Sequence, residues 1–130
     1  MYADSSALVK LVIKEPESSA LKEHLAKRSA AVLATSRLAT VEVARACKLV
    51  NASLEVADEA ERVLASCLQV AVSPQLLQAA SRLTTQTLRS LDAIHLATAL
   101  RIGADELLAY DRRLLSAAGE HGLAVAHPSA

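Results

Sequence analysis

The chain has 130 residues, of which 52% are hydrophobic, and its 14 Lys and Arg balance 14 Asp and Glu to a formal net charge of zero. That balance excludes a nucleic-acid binder working through bulk charge. Tyr2 and Tyr110 are its two aromatic residues, too few for base stacking to be the main source of any nucleic-acid recognition.

Ala, Leu and Val dominate, with three Gly and three Pro, so the expectation is one compact, helix-rich domain over residues 1–130. Residues 1–4 read as a short buried strand running into a helix from Ser5, with Ser5 and Ser6 as capping residues. An amphipathic helix is expected at 17–28, a strand at 30–34, and a helix opened by Thr35 and Ser36 over 37–49. The segment 54–66 pairs with that helix as a hairpin, and 68–72 is a strand. Pro74 starts a helix to about 85, because Pro is tolerated in a first turn. A helix from 91 stops at Gly103, a strand follows at 106–110, a short helix at 112–121 and a last strand at 123–126, with a loose tail over 128–130. Strands alternating with helices predict an α/β fold, a central, mostly parallel β-sheet flanked by helices, in which sites form beyond the carboxyl ends of the strands.

Four carboxylates lie in or against apolar segments, where a charge is costly: Asp4, Glu42, Asp92 and Asp111. Each alone has a plain explanation as a helix cap, a first-turn acid or half of a surface ion pair. Jointly they ask for more. Two like charges about 4 Å apart repel by roughly 4 kcal/mol at an effective dielectric of about 20, so a gathered set calls for a cation. Carboxylates without Cys or His beside them select Mg²⁺ or Mn²⁺ rather than zinc. Such an ion neutralises phosphoryl charge and acidifies water.

His95, one turn after Asp92, reads as a packed or hydrogen-bonded helix residue rather than a ligand, with room for a contact to a carboxylate. Ser5 and Ser6 lack the surroundings of a nucleophilic serine. Arg89, Arg101, Arg112 and Arg113 flank the third and fourth acids, and a minority of the basic residues are expected to touch phosphate. Cys47 and Cys67 have no metal or redox spacing and read as small core residues. With no window near the roughly 18 apolar residues of a spanning helix, the expected setting is the reducing cytoplasm, with no membrane partner.

The strings Tyr-Ala-Asp4-Ser-Ser-Ala-Leu-Val-Lys-Leu, Val-Glu42, Leu-Asp92-Ala-Ile-His-Leu-Ala-Thr-Ala-Leu and Gly-Ala-Asp-Glu-Leu-Leu-Ala-Tyr-Asp111-Arg-Arg-Leu resemble, in order and spacing, the PIN-domain ribonucleases, and within them the VapC-type toxins of toxin-antitoxin pairs. The resemblance spans nearly the whole chain. It implies a PIN-like three-layer sandwich and a metal-dependent endoribonuclease whose Asp4, Glu42, Asp92 and Asp111 hold Mg²⁺ or Mn²⁺. It also implies that Ser6 supports the site, and that products carry a 5′-phosphate and a 3′-hydroxyl. A cognate antitoxin that inserts a basic segment into the acidic pocket, and a homodimer, are implied as well. The chain departs from many relatives at Ala109, where they carry Thr or Ser.

Two rival readings stay open on sequence. One is a catalytically weak PIN-like binding subunit whose acidic groove docks a basic partner. The other is a phosphoacceptor domain, disfavoured because Asp4 has no paired acid at the next-but-one position and the final strand has no Lys.

Overall fold

The fold is described by a computed structural model over residues 1–129; the expectation of a loose end at Ala130 lies outside them. In chain order the elements are β1 (Tyr2–Ala3), α1 (Ser5–Val12), α2 (Ser18–Ala26), β2 (Ala34–Ser36), α3 (Ala39–Val50), α4 (Leu54–Ala65), β3 (Leu68–Val70), α5 (Pro74–Ser81), α6 (Ser90–Arg101), β4 (Glu106–Leu108), α7 (Arg112–Glu120) and β5 (Ala124–Ala126). The strands form one sheet in the order β3-β2-β1-β4-β5, and every pairing is parallel. The sheet is therefore wholly parallel among the described residues, where the sequence suggested mostly so.

Successive strand residues point to opposite faces, and the core divides accordingly. Ala3 and Leu108 face a cluster with Ala7 and Leu8 of α1, Leu21 of α2, Val43 and Cys47 of α3, and Leu64 of α4. Tyr2 and Leu107 face the other way, onto Leu96 and Ala99 of α6 and Leu114 and Ala117 of α7. The result is a three-layer sandwich, with α5 packed on α6 through Leu76, Ala80 and Ala97. Both cysteines are buried and free, as expected of core residues.

The chain runs outward from β1 through β2 to β3, then returns to build β4 and β5 on the other side of β1. The crevice beyond the carboxyl ends of β1 and β4 is thus a topological switch point, where open parallel sheets bind ligands.

Local expectations are corrected in three places. The strand expected at 30–34 lies at Ala34–Ser36, while residues 27–30 are turn and Val32 is exposed. Thr35 and Ser36 are strand residues: Thr35 Oγ1 donates to the Ala3 carbonyl at 2.8 Å and so enters the core without an unsatisfied hydroxyl, while Ser36 Oγ accepts the Leu38 N–H at 3.1 Å just ahead of α3, as a residue that opens the helix would. At the first helix the cap is Asp4, as its plain reading had it, and not Ser5 or Ser6. Its backbone is extended and tied to β4 by Asp4 N–H to Leu108 O at 3.1 Å, which leaves its side chain free to accept the Ala7 N–H. The tail is also held as far as Pro128, whose carbonyl accepts the Tyr110 hydroxyl at 2.7 Å.

Candidate active site

Asp4 follows directly on β1 and is buried. Its Oδ1 accepts the Ser6 hydroxyl at 2.6 Å and the Ala7 N–H at 3.1 Å, and Ser6 Oγ in turn accepts the Tyr110 N–H at 3.0 Å. Ala109, where many relatives have a hydroxyl, is fully buried among Leu96, Leu107 and Leu114. The strap between β1 and β4 is instead made by its neighbour's backbone.

Glu42 stands in the first turn of α3, half-buried. Its Oε1 accepts Ser5 Oγ at 2.5 Å and His95 Nε2 at 2.7 Å. Asp92 opens α6, also half-buried. Asp111 is exposed and caps α7, its Oδ1 accepting the N–H groups of Arg113 at 2.8 Å and Leu114 at 3.2 Å.

The four carboxylates lie along one edge, and Asp92 couples to its neighbours there. Burial pushes the Asp4 carboxyl above the usual range, Ser6, His95 and the Ala7 N–H pull it back, and the Asp92 charge raises it further. Asp92 is raised first by burial, then by Asp111 and Glu42, against the pull of His95 and Arg89. At Glu42 burial is outweighed by the hydrogen bonds from His95 and Ser5, so this carboxyl is held low.

Hydrogen bonds leave each acid an open oxygen. Among the described residues they reach Oδ1 of Asp4, Oε1 of Glu42 and Oδ1 of Asp111, and none reaches Asp92. No buried side-chain oxygen among these residues lacks a partner, so the free oxygen of Asp4 reaches the surface of the crevice. The described residues hold no ready-made shell of three His, Cys, Asp or Glu groups around one point. A hard ion such as Mg²⁺ does not need one, since it takes one or two carboxylates and keeps several waters. The donor chemistry, acceptor-only oxygens whose mutual repulsion a cation relieves, fits such an ion.

On the Asp111 side, Arg89, Arg112 and Arg113 join Asp111 in lining a cavity of about 300 Å³. Arg89 stands at the cap of α6 without a side-chain cap bond, and Arg112 and Arg113 open α7. Cations there work against the helix dipoles, although the Arg89 charge also offsets that of Asp92. Glu15 lies 3.7 Å from the Lys10 ammonium, which also meets Glu17 at 2.8 Å. Sequence reasoning missed Tyr2, whose hydroxyl is 2.6 Å from His95 Nδ1, and the bond from Ser5 to Glu42. The one signal was the three-residue step from Asp92 to His95, which puts both on one helix face.

A family model described as PIN domain matches residues 1–120. The chain belongs to the PIN-domain family. It is 44% identical over 131 aligned positions to Ribonuclease VapC46 of Mycobacterium tuberculosis, covering 99% of this chain and 98% of that one, and is thus a VapC-type PIN domain. Among solved structures, Mycobacterium tuberculosis VapC20, described as a sarcin-ricin loop cleaving toxin, matches with a TM-score of 0.73 at 18% identity over 89% of this chain and 93% of that one. A toxin-antitoxin complex from Klebsiella pneumoniae matches with a TM-score of 0.71 at 23% identity over 98% and 96% of the two chains. At those identities the two structures bear on the fold of this PIN domain, which they share.

Proposed function

We propose that this PIN domain is the endoribonuclease toxin of a type II toxin-antitoxin pair, hydrolysing RNA phosphodiester bonds at the edge that carries Asp4, Glu42, Asp92 and Asp111. The observation that carries the reading is full-length identity of 44% to a VapC ribonuclease in a chain whose four acids each keep an oxygen free beside a topological switch point. The same identity favours an enzyme over a mere docking subunit.

Asp4 and Asp92 would hold a divalent cation, Mg²⁺ or Mn²⁺, with Asp111 supporting it and Glu42 steering the attacking water. The cation supplies neutralisation of phosphate charge and acidification of water. The chain's own residues do the rest. Ser6 keeps Asp4 ionisable by hydrogen bonding to its charged form, and burial strengthens every charge interaction in the crevice. Arg89, Arg112 and Arg113 face the phosphates of the flanking strand.

An antitoxin is the expected partner, in keeping with the toxin-antitoxin complex whose fold this chain shares. A basic side chain inserted among free carboxylate oxygens would make charge-assisted bonds and block the crevice. A homodimer is proposed because Leu49, Val50 and Leu54 at the α3–α4 turn are exposed aliphatic side chains. The site of action is proposed to be the cytoplasm, where RNA is found and where buried, unpaired Cys47 and Cys67 stay reduced. Among the described residues, no helix is long and apolar enough to cross a membrane.

The deciding experiment incubates partner-free protein with total RNA in Mg²⁺ or Mn²⁺, with EDTA and Asp4→Asn as controls, and sequences the 5′ ends produced. Discrete ends bearing 5′-phosphates, lost with EDTA and in the variant, are expected. Cleavage that persists in EDTA would overturn the metal assignment, and absence of cleavage with either ion would favour the docking subunit.

A further inference from the structure

His95 is 1% exposed, and a buried imidazole is tolerated when both its nitrogens are engaged. Nδ1 stands 2.6 Å from the Tyr2 hydroxyl, and Nε2 stands 2.7 Å from Glu42 Oε1 and 3.4 Å from Ser5 Oγ. An ionised carboxylate only accepts, so the proton between His95 and Glu42 belongs to Nε2. In the neutral ring Nδ1 is then the acceptor, and the Tyr2 O–H donates to it. Were the ring doubly protonated, Nδ1–H would donate to the phenol oxygen and Nε2–H would still donate to Glu42, more strongly for the added charge. The direction of the bond to Glu42 is therefore the same in both states of the ring.

The anchor behind His95 is rigid. Tyr2 is fully buried on β1, the central strand, and its ring meets the imidazole edge-on with centroids 5.8 Å apart. The side chain being steered is not rigid, because glutamate has several rotatable bonds and Glu42 is half-buried. Two donors from different helices, Ser5 on α1 and His95 on α6, converge on the same oxygen of Glu42. One donor alone would let the carboxylate swing; two leave Oε2 as the working oxygen.

We propose that His95, locked by Tyr2, is a positioning residue that fixes the Glu42 carboxylate for the reaction. The catalytic consequence rests on the nuclease reading above; the hydrogen-bond arrangement does not.

The test uses two substitutions that divide the two ring nitrogens. His95→Asn keeps an amide near the Nδ1 position and loses the donor to Glu42, whereas His95→Gln extends a donor to the Nε2 position. Loss of such an outer partner typically costs 10–100-fold in activity. His95→Asn is expected to lower kcat on this scale with KM nearly unchanged, and His95→Gln to recover most of the loss. In a Glu42→Gln background, His95→Asn should add no further loss, since residues acting as a unit are not additive. Equal losses in both His95 variants, or a full further loss in the Glu42→Gln background, would mean a structural role and overturn the proposal. A second readout needs no catalysis. In the metal-free protein, imidazole ¹H–¹⁵N spectra are expected to show a protonated Nε2 whose proton moves on Glu42→Gln. A proton on Nδ1 alone, or an Nε2 proton unmoved by that change, would also overturn it. Failure of the nuclease reading looks different: wild-type protein would cleave no RNA with either ion, and the spectra would then decide the positioning claim by themselves.

Discussion

The Ser6 hydroxyl donates to Asp4 Oδ1 at 2.6 Å, tying the first turn of α1 to the carboxylate that follows β1. The same oxygen of Ser6 receives the Tyr110 N–H, so one small side chain links two neighbouring strand ends at the crevice. Ser6 stabilises the charged form of an acid that burial would otherwise neutralise. Removing it in Ser6→Ala should raise the Asp4 pKa further. The acidic limb of the pH–rate profile should then move to higher pH, with the alkaline limb unmoved. An acidic limb that stays in place would show that Asp4 is not the group it reports.

Asp4→Asn should abolish cleavage and yet stabilise the metal-free fold at neutral pH. The amide keeps an oxygen to accept from Ser6 and Ala7 while removing a buried charge. Because the folded-state pKa is raised, the native state binds the proton more tightly than the unfolded chain. Stability from this group is fully present below the ordinary Asp range and is lost as pH rises through the raised value. Thermal melts in EDTA should show variant and wild type converging at low pH and separating as pH increases, with the variant the more stable.

Mg²⁺ or Mn²⁺ should raise the Tm of the wild type and leave Asp4→Asn unmoved. A ligand at about 100 times its Kd stabilises the fold it binds by about 2.7 kcal/mol. An equal shift in both proteins would place the ion elsewhere.

Asp111 serves both as the cap of α7 and as a proposed ion support, and two substitutions separate those tasks. Asn is as good a cap as Asp, whereas Ala at such a position costs about 1 kcal/mol. Asp111→Asn should keep the Tm and lose activity, while Asp111→Ala should lose both. Full activity in the Asn variant would limit Asp111 to capping.

Paired Ala substitutions at Arg112 and Arg113 should raise KM for RNA and leave kcat largely intact. If each arginine meets one phosphate, each loss should flatten the dependence of log K on log salt by about 0.7 for a single strand. An unchanged salt slope would return both residues to the solvated surface.

Much of the architecture was legible in the chain because period and punctuation agree with the fold. Pro74 at a helix start acts locally, and the structure uses it that way. Errors fell where a tertiary partner outweighed local preference. Thr35 and Ser36 look like caps, but a hydroxyl that can reach the Ala3 carbonyl makes a buried strand residue of Thr35. Ser5 and Ser6 also look like caps, but Asp4, held extended by β4, takes that place and frees both hydroxyls for carboxylates.

By itself the sequence determined the kinds of group available: four acids set against apolar segments, with alternating elements that place strand ends and helix starts on one edge. These follow from short-range preferences and side-chain chemistry, which the order of residues expresses directly. Only the tertiary structure decided which donor meets which oxygen, that Ser6 serves Asp4 while Ser5 and His95 share Glu42, and that Tyr2 stands behind the imidazole. Those pairings join residues as far apart as 2 and 95, and a hydrogen bond is set by tenths of an ångström in the packed molecule, which no spacing along the chain encodes.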